Sequence, residues 1–377
     1  MTDRRSAWAE IDLAAVRHNV SVLAAAAAGA QLMAVVKANA YGHGAVPVGR
    51  AALEAGASWL GVARAAEGTE LRAAGIDAPV MMLSDPPADE IDSVVDAGLA
   101  TMIGDIRTLA PLGKASRDAA RVVDVHLKVD TGMHRVGLAP ESVPTAVDEV
   151  LTTDGLTFGG IATHLAVADD VDDAFTAQQL DAFRSVVEDL ERSGRRPPLA
   201  HAANSAGVLA HPDSHFDLVR TGISIYGLPP GPGIAAHPPL RPALSVHARV
   251  SAVRDLEAGE RVSYGRRYVL ERPGRVATVP LGYGDGVPRR LGAVGGEVLI
   301  GGVRRPIAGT VTMDQFMVDV GAEPVDVGDH VVLIGAQEGP ESTGEITATE
   351  WADRLDTIDY EIVTGIRRRV PRVYTGE

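Results

Sequence analysis

The sequence predicts an α/β protein: an N-terminal eight-stranded parallel (β/α) barrel followed by a mostly β C-terminal domain. Three observations carry that expectation. The chain has 377 residues, more than one ordinary domain needs. From residue 10 to about 230, short apolar runs alternate with Ala/Leu/Glu/Arg stretches of helical period. Beyond a proline-rich stretch at 228–242, short β segments follow one another, separated by glycine-rich turns.

In chain order the expected barrel strands are 32–36, 59–63, 80–83, 100–103, 122–129, 158–163, 199–202 and 218–225. They read as continuous apolar runs, the pattern of strands buried on both faces of a parallel sheet. Helices are expected at 45–55, 65–74, 87–97 and 174–193. Eight repeats favour a closed barrel over an open doubly wound sheet. The glycine fingerprint of the open sheet is missing, because Gly231-Pro-Gly233 joins no strand to a helix. In the second part, β segments are expected at 244–253, 275–280, 297–300, 304–308, 316–320 and 330–334, with a single helix at 347–355. The expected domains are thus 10–235 for the barrel, and 1–9 with 236–377 for the β-rich part.

Composition narrows the chemistry. With no cysteine, disulfides, thiolate zinc sites, iron–sulfur clusters and cysteine nucleophiles are excluded. A net charge of −15 repels phosphate backbones, so no nucleic-acid partner is expected. The basic cluster Arg367-Arg368-Arg369 with Arg372 is expected to pair with surrounding acids. No apolar leader precedes Glu10 and no run is long enough to span a bilayer, so a cytoplasmic protein without a membrane partner is expected. Only three of the 35 basic residues are lysines: Lys37, Lys114 and Lys128. Arginine cannot replace a lysine that must lose its proton or form an imine, so the retained lysines draw attention.

Lys37 ends an apolar run, in Val35-Val36-Lys37-Ala38-Asn39-Ala40-Tyr41-Gly42-His43-Gly44. The carboxyl end of a barrel strand faces the active-site mouth, where a lysine can be desolvated and form a Schiff base. Other polar residues recur at strand ends: Lys128 and Asp130, His164, Asn204 with Ser205, and Arg220 with Gly222. Singly, each is an ordinary structural group; together at successive strand ends they point to a site. No metal motif and no nucleophile elbow accompany them. In the β part, Ser263-Tyr264-Gly265 and Gly282-Tyr283-Gly284 place tyrosines in glycine-flanked loops. These residues alone define a barrel enzyme of unspecified reaction, with sugar-phosphate isomerisation as a rival.

The Lys37 segment closely resembles the cofactor-lysine segment of bacterial alanine racemases. The likeness continues through Lys128-Val-Asp130-Thr-Gly132-Met-His134-Arg135, His201-Ala-Ala-Asn204-Ser205, Arg220-Thr-Gly222-Ile223, Tyr264-Gly265, Gly282-Tyr283-Gly284-Asp285-Gly286, Met313-Asp314-Gln315 and Tyr360-Glu361-Ile362, in the family's order. The resemblance implies pyridoxal 5'-phosphate as cofactor, alanine as substrate and a homodimer with shared active sites. It implies that Lys37 binds the cofactor covalently and serves as one of two bases, with Tyr264 of a second copy as the other. Tyr41, Ser205, Gly222, Ile223 and Tyr360 are implied at the cofactor phosphate, with Asn204 beside them. His164 is implied near the ring and Arg220 at the pyridine nitrogen, the two forming the network that tunes Tyr264. Arg135 and Met313 are implied at the substrate carboxylate, with Tyr283 narrowing the entrance, and Lys128 as a candidate for carbamylation. Two departures are visible: His134 stands where the family usually has asparagine, and Gly309-Thr310-Val311-Thr312 replaces a segment where arginine and cysteine are common. A broader-specificity racemase acting on serine or basic amino acids is the main alternative. A pyridoxal-phosphate decarboxylase and a non-catalytic cofactor binder are the others.

Overall fold

The computed structural model describes residues 6–236, 238–340 and 342–376. Residues 1–5, grouped above with the β-rich part and read as free of a leader, and positions 237, 341 and 377 lie outside the described residues. The chain divides into two compact units: Ala14–Ala40 with Gly44–Arg241, and the residues up to Leu13 with Tyr41–His43 and those from Pro242 onward.

The first strand, β1 (Ala7–Asp12), belongs to the second unit. The barrel strands are β2 (Gln31–Val35), β3 (Trp59–Val62), β4 (Val80–Met82), β5 (Ala100–Ile103), β6 (Val123–Lys128), β7 (Leu156–Ala162), β8 (Leu199–His201) and β9 (Leu218–Thr221). They pair in parallel in the order β8-β7-β6-β5-β4-β3-β2-β9. Between β8 and β9 the backbone bonds Asp217 N to Ala200 O and Arg220 N to Ala203 O, both 3.0 Å, draw the two ends together into a nearly closed barrel. The interior holds Met33, Met81, Met102, Ala100, Ala162, Leu199 and Leu218, with Trp59 and Leu83 against them. Unbranched methionines suit the irregular space inside a small barrel.

Outside the sheet, the helix Phe175–Arg192 buries Leu180, Phe183, Val186, Val187 and Leu190, a stripe of helical spacing. Phe183 is fully buried, so Phe183→Ala costs about 3–5 kcal/mol. Two boundaries are shifted from expectation, and a further helix appears that the pattern did not indicate. The last strand stops at Thr221 because Gly222 (φ −108°, ψ −96°) turns the chain into the 3-10 turn Ile223–Tyr226. The helix expected from 87 begins at Ile91, after a turn closed by Glu90 N to Pro87 O. Leu109–Asp118 is helical despite Pro111 and Gly113. Pro111 lies in the first turn, where its missing N–H has no helical partner to lose. At Gly113 a Cβ would collide with Thr153.

In the second unit β1 pairs antiparallel with β10 (Leu244–Arg249; Ile11 opposite Leu244) and parallel with a C-terminal strand Arg372–Thr375 (Ala9 opposite Arg372). The ladder therefore carries β1 three residues past the expected border at residue 9. Strands Glu297–Ile300, Val303–Pro306, His330–Glu338 and Thr343–Ile346 complete this sheet, and Ala252–Leu256, Gly274–Val279 and Phe316–Gly321 form a second. Thr347 caps the expected helix, its hydroxyl accepting from Glu350 N at 3.0 Å. A second helix, Asp359–Gly365, was not expected; seven residues rich in β-branched side chains and closed by glycine give little helical signal. On the sheet, Trp8 stacks on His247 and His330 at 5.2 and 5.6 Å, and His247 Nδ1 lies 3.0 Å from His330 Nε2. Among the described residues no helix is long and apolar enough to cross a membrane.

Candidate active site

The barrel gathers Lys37, Lys128, Arg135, His164, Asn204, Ser205, Arg220, Gly222 and Ile223 at the carboxyl ends of its strands. Lys37 follows β2 by two residues and opens a turn of the wrong hand. Ala38, Asn39, Ala40, Tyr41 and Gly42 all have positive φ, between 51° and 86°. Each non-glycine residue there costs about 1–2 kcal/mol, so the turn persists only because its surroundings fix it. Glu67 accepts from Ala38 N at 2.6 Å and also from Ala63 N and Arg64 N. Asn39 Oδ1 accepts from Ala45 N at 3.0 Å. Burial pulls the Lys37 ammonium below the ordinary lysine range, Arg135 adds to this, and Glu67 opposes it.

Arg220 is buried inside the barrel. Its Nη1 donates to His201 Nδ1 at 2.8 Å, and its Nη2 reaches Thr163 O, Ala202 O and His164 Nδ1 at 2.7, 2.8 and 3.2 Å. Burial lowers its pKa to about 10, which still leaves it charged at neutral pH. Burial, followed by the charges of Arg220, Lys128, Arg135 and Lys37, holds His164 well below pH 6.5. His164 is therefore neutral, and the charge expected from the His164–Arg220 pair is carried by Arg220 alone. Gln179, fully buried on the helix Phe175–Arg192, donates to His164 O at 3.1 Å and to Thr131 Oγ1 at 3.3 Å.

Asn204 caps the helix Ser205–Ala210 by accepting from Gly207 N, so its side chain serves the helix rather than an open pocket. Ser205 Oγ accepts from Gly222 N at 2.9 Å, joining the loops after β8 and β9 and leaving its own O–H to donate. Ile223 opens the following 3-10 turn, whose first backbone N–H groups have no partner within it. Burial, then Arg220 and Arg135, bring Lys128 down to about 8. The loop carrying Arg135 is held by Asp130, whose Oδ1 accepts from Gly132 N and His134 N, both at 3.0 Å. His134 has φ 52°, a conformation that asparagine, aspartate and histidine tolerate best, which explains why histidine can stand at this position.

The second unit holds the other expected residues. Tyr41 and Tyr360 meet with ring centroids 5.9 Å apart, and burial pushes Tyr41 up to about 12, so its phenol is a donor. Tyr264 is 74% exposed on a tight loop in which Ser263 Oγ donates to Thr310 O and Thr310 Oγ1 to Tyr264 O. Thr310 thus explains what the unusual 309–312 segment does. Tyr283 N donates to Thr312 O and Gly284 N to Met313 O, so the Tyr283 and Met313 loops form one surface. Met313 and Tyr283 are also exposed.

Sequence reasoning assigned no role to Glu67, Gln179, His201 or His126. His201 stood in a quoted motif, and His126 is a histidine inside an apolar strand; neither pattern distinguishes a site residue from a core one. These donors and cations suit an anionic aromatic aldehyde. Ser205 offers a hydroxyl and Ile223 a backbone N–H for a phosphate, Gly222 N holds Ser205 Oγ in place, Lys37 offers a depressed amine, and buried Arg220 offers a guanidinium that only donates.

Comparison with known proteins agrees. The alanine racemase N-terminal domain model matches residues 11–230 and the C-terminal domain model residues 243–374. The chain is 49% identical to an alanine racemase of Symbiobacterium thermophilum, over 99% of this chain and 98% of the relative. It is 48% identical to one from Thermobifida fusca, over 98% of each. The solved alanine racemase of Streptomyces coelicolor superposes with a TM-score of 0.92 at 42% identity, covering 99% of this chain and 98% of that one. A histidine racemase from Leuconostoc mesenteroides superposes at 0.89 with 28% identity, covering 99% of each. With both domain models matched in order and near-full-length relatives approaching half identity, the chain belongs to the alanine racemase family.

Proposed function

We propose that this chain is a cytoplasmic, pyridoxal 5'-phosphate-dependent racemase that interconverts L- and D-alanine as a homodimer, supplying D-alanine for peptidoglycan. The observation that carries the reading is the desolvated Lys37 amine on a strained turn at the barrel mouth, in a chain that also retains buried Arg220. When bound, the cofactor supplies the electron sink that acidifies the substrate α-proton.

The residues do the rest. Tyr41 and Tyr360, with Ser205, Gly222 and Ile223, are the residues that would hold the phosphate. Asn204 acts through Ser205, by fixing the helix that carries it. His164 would lie near the ring as a neutral group. Arg220 would face the ring nitrogen and, being a donor only with a pKa of about 10, would give that nitrogen a hydrogen bond without readily giving up a proton to it. Arg135 and the backbone of Met313 bind the substrate carboxylate, and Tyr283 narrows the entrance. Lys128, with a pKa of about 8, offers enough neutral amine to add to carbon dioxide, its nitrogen releasing a proton to solvent, and the resulting carbamate anion would orient Arg135. Lys37 Nζ takes or returns the proton on one face of the substrate, and Tyr264 Oη of a second copy does so on the other. The exposure of Tyr264, Tyr283 and Met313 on linked loops supports their facing another subunit. Within each protomer, the barrel domain would bind the cofactor and the β-rich domain would complete its neighbour's site.

Proton NMR of L-alanine in D2O with the cofactor-loaded protein, paired with chiral analysis, tests the reading. Loss of the α-proton signal with D-alanine appearing supports it. No exchange with alanine, but exchange with serine, histidine or lysine, would move the assignment to a broader racemase, the reading that the histidine racemase likeness keeps in play.

A further inference from the structure

The C-terminal arginines are expected to pair with acids, and Arg369 does, reaching Asp285 at 3.1 Å and Asp314 at 2.8 Å. Arg372 is used differently. Its Nε donates to Gly42 O at 2.9 Å, its Nη1 to Val370 O at 2.7 Å and to Arg367 O, and its Nη2 to Ile366 O. Four carbonyls from two stretches of chain, Gly42 on one and residues 366–370 on the other, thus converge on one half-buried guanidinium, and carbonyls give it hydrogen bonds without a compensating charge.

Two of those carbonyls belong to segments already singled out. Gly42 closes the left-handed turn that begins after Lys37 and includes Tyr41. Ile366 caps the helix Asp359–Gly365, which carries Tyr360. The fit is close: a Cβ at Gly42 would lie 2.7 Å from Val363 O on the same helix, and the φ of +86° disfavours any side chain there. Arg372 itself stands at the start of the last strand, paired with Ala9, so the clamp is anchored to the sheet.

We propose that Arg372 is a positioning residue for the cofactor pocket: it ties the end of the strained Lys37–Gly42 turn to the helix of Tyr360 and so keeps the Tyr41–Tyr360 pair assembled. The consequence for the cofactor rests on the function proposed above; the consequence for the turn does not. A turn of five positive-φ residues relaxes when a restraint at its end is removed, and the fraction of molecules with a competent pocket falls with it.

The test compares Arg372→Met with Arg354→Met. Arg354 is also a multiply bonded arginine of the second unit, reaching Glu350, Glu297 and Gly295 O, but it touches neither segment. In the cofactor-free chain, Arg372→Met is expected to speed amide hydrogen exchange across residues 37–45 by about tenfold or more, and Arg354→Met to leave it unchanged. Arg372→Met is also expected to weaken pyridoxal 5'-phosphate binding, measured by dialysis and absorbance, by about tenfold. Exchange across 37–45 as slow in Arg372→Met as in the natural chain, or equally fast in Arg354→Met, would overturn the proposal. If Arg372→Met does not fold, Arg372→Lys is measured in its place; an ammonium cannot span these carbonyls, so the same acceleration is expected and its absence counts equally against the clamp. A natural chain that binds no pyridoxal 5'-phosphate would remove the proposed function, while the exchange comparison would still decide the role of Arg372.

Discussion

Arg220 donates to His201 Nδ1 at 2.8 Å, and because a guanidinium has no acceptor, that bond fixes the tautomer of His201. With Nδ1 accepting, the proton of a neutral His201 sits on Nε2, which lies 2.9 Å from His126 Nδ1. His126 Nδ1 is then the acceptor of that bond, and its Nε2 lies 3.6 Å from Asp124 Oδ2. One buried cation thus orients two histidines along the barrel interior. At Gly160 a Cβ would collide with the His126 ring, so glycine makes room for the chain.

Removing the first acceptor leaves Nη1 of a buried cation short of a partner, while Nη2 keeps its own. His201→Leu is expected to cost about 1.5–3 kcal/mol of stability, the usual worth of a hydrogen bond to a charged group. His201→Gln, which keeps an acceptor, should recover part of it. Urea unfolding of the two variants checks this; equal losses would mean that packing, not the Arg220 bond, sets the cost.

Acid should destabilise the fold earlier than carboxylate titration alone requires. Burial and neighbouring positive charge keep His164 and His201 well below 6.5, and burial, with His330, lowers His247 to about 4. Below pH 6.5 the unfolded chain binds protons that these folded groups refuse, so stability falls as pH drops from 6.5 towards 4. At about 1.4 kcal/mol per pH unit, His247 alone contributes roughly 3 kcal/mol across that window. Thermal unfolding at pH 7.5, 6 and 5 reads the slope, and His247→Gln is expected to flatten it. A slope unchanged in that variant would remove His247 as a source.

If Tyr264 completes the site of a second copy, two dead proteins should repair each other. Mixing Lys37→Ala with Tyr264→Phe gives one intact site in each mixed dimer, hence about one quarter of the natural activity after random exchange in a two-fold dimer. Mass spectrometry of the mixture proves exchange independently. Proven mixed dimers without activity would place both bases in one chain.

The fold was largely legible because its barrel strands are continuous apolar runs, and periodicity detects those. Val80–Met82 and Ala100–Ile103 stand close to where the pattern puts them. Leu109–Asp118 was hidden by a proline and a glycine whose reasons are positional, one in the first turn and one against Thr153. The site was legible where a residue type was costly to keep, as with Lys37 among so few lysines. It was not legible where a common residue acts through distant backbone. Glu67 reads as a surface acid at a helix start, and nothing local shows that it caps the Lys37 turn 29 residues away. Arg372 reads as one more member of a charge run, and only the folded chain brings Gly42 to it.

Glu67 allows the last prediction, because it acts on Lys37 in two opposed ways. Its carboxylate receives three backbone N–H groups, those of Ala38 (2.6 Å), Ala63 (2.8 Å) and Arg64 (3.2 Å), and so restrains the turn. Its negative charge also raises the Lys37 pKa against the dominant effect of burial. Glu67→Gln removes the charge but keeps one carbonyl oxygen as acceptor. The Lys37 ammonium should then titrate at lower pH, leaving more neutral amine near neutrality, while the loosened turn costs about 1–2 kcal/mol of stability. Glu67→Ala removes all three bonds and should cost more. The pH dependence of Lys37 acetylation by acetic anhydride in the cofactor-free chain, followed by peptide mass spectrometry, separates the two effects. A profile moved to lower pH in Glu67→Gln shows the charge at work, whereas an unmoved profile with lost stability confines Glu67 to holding the turn.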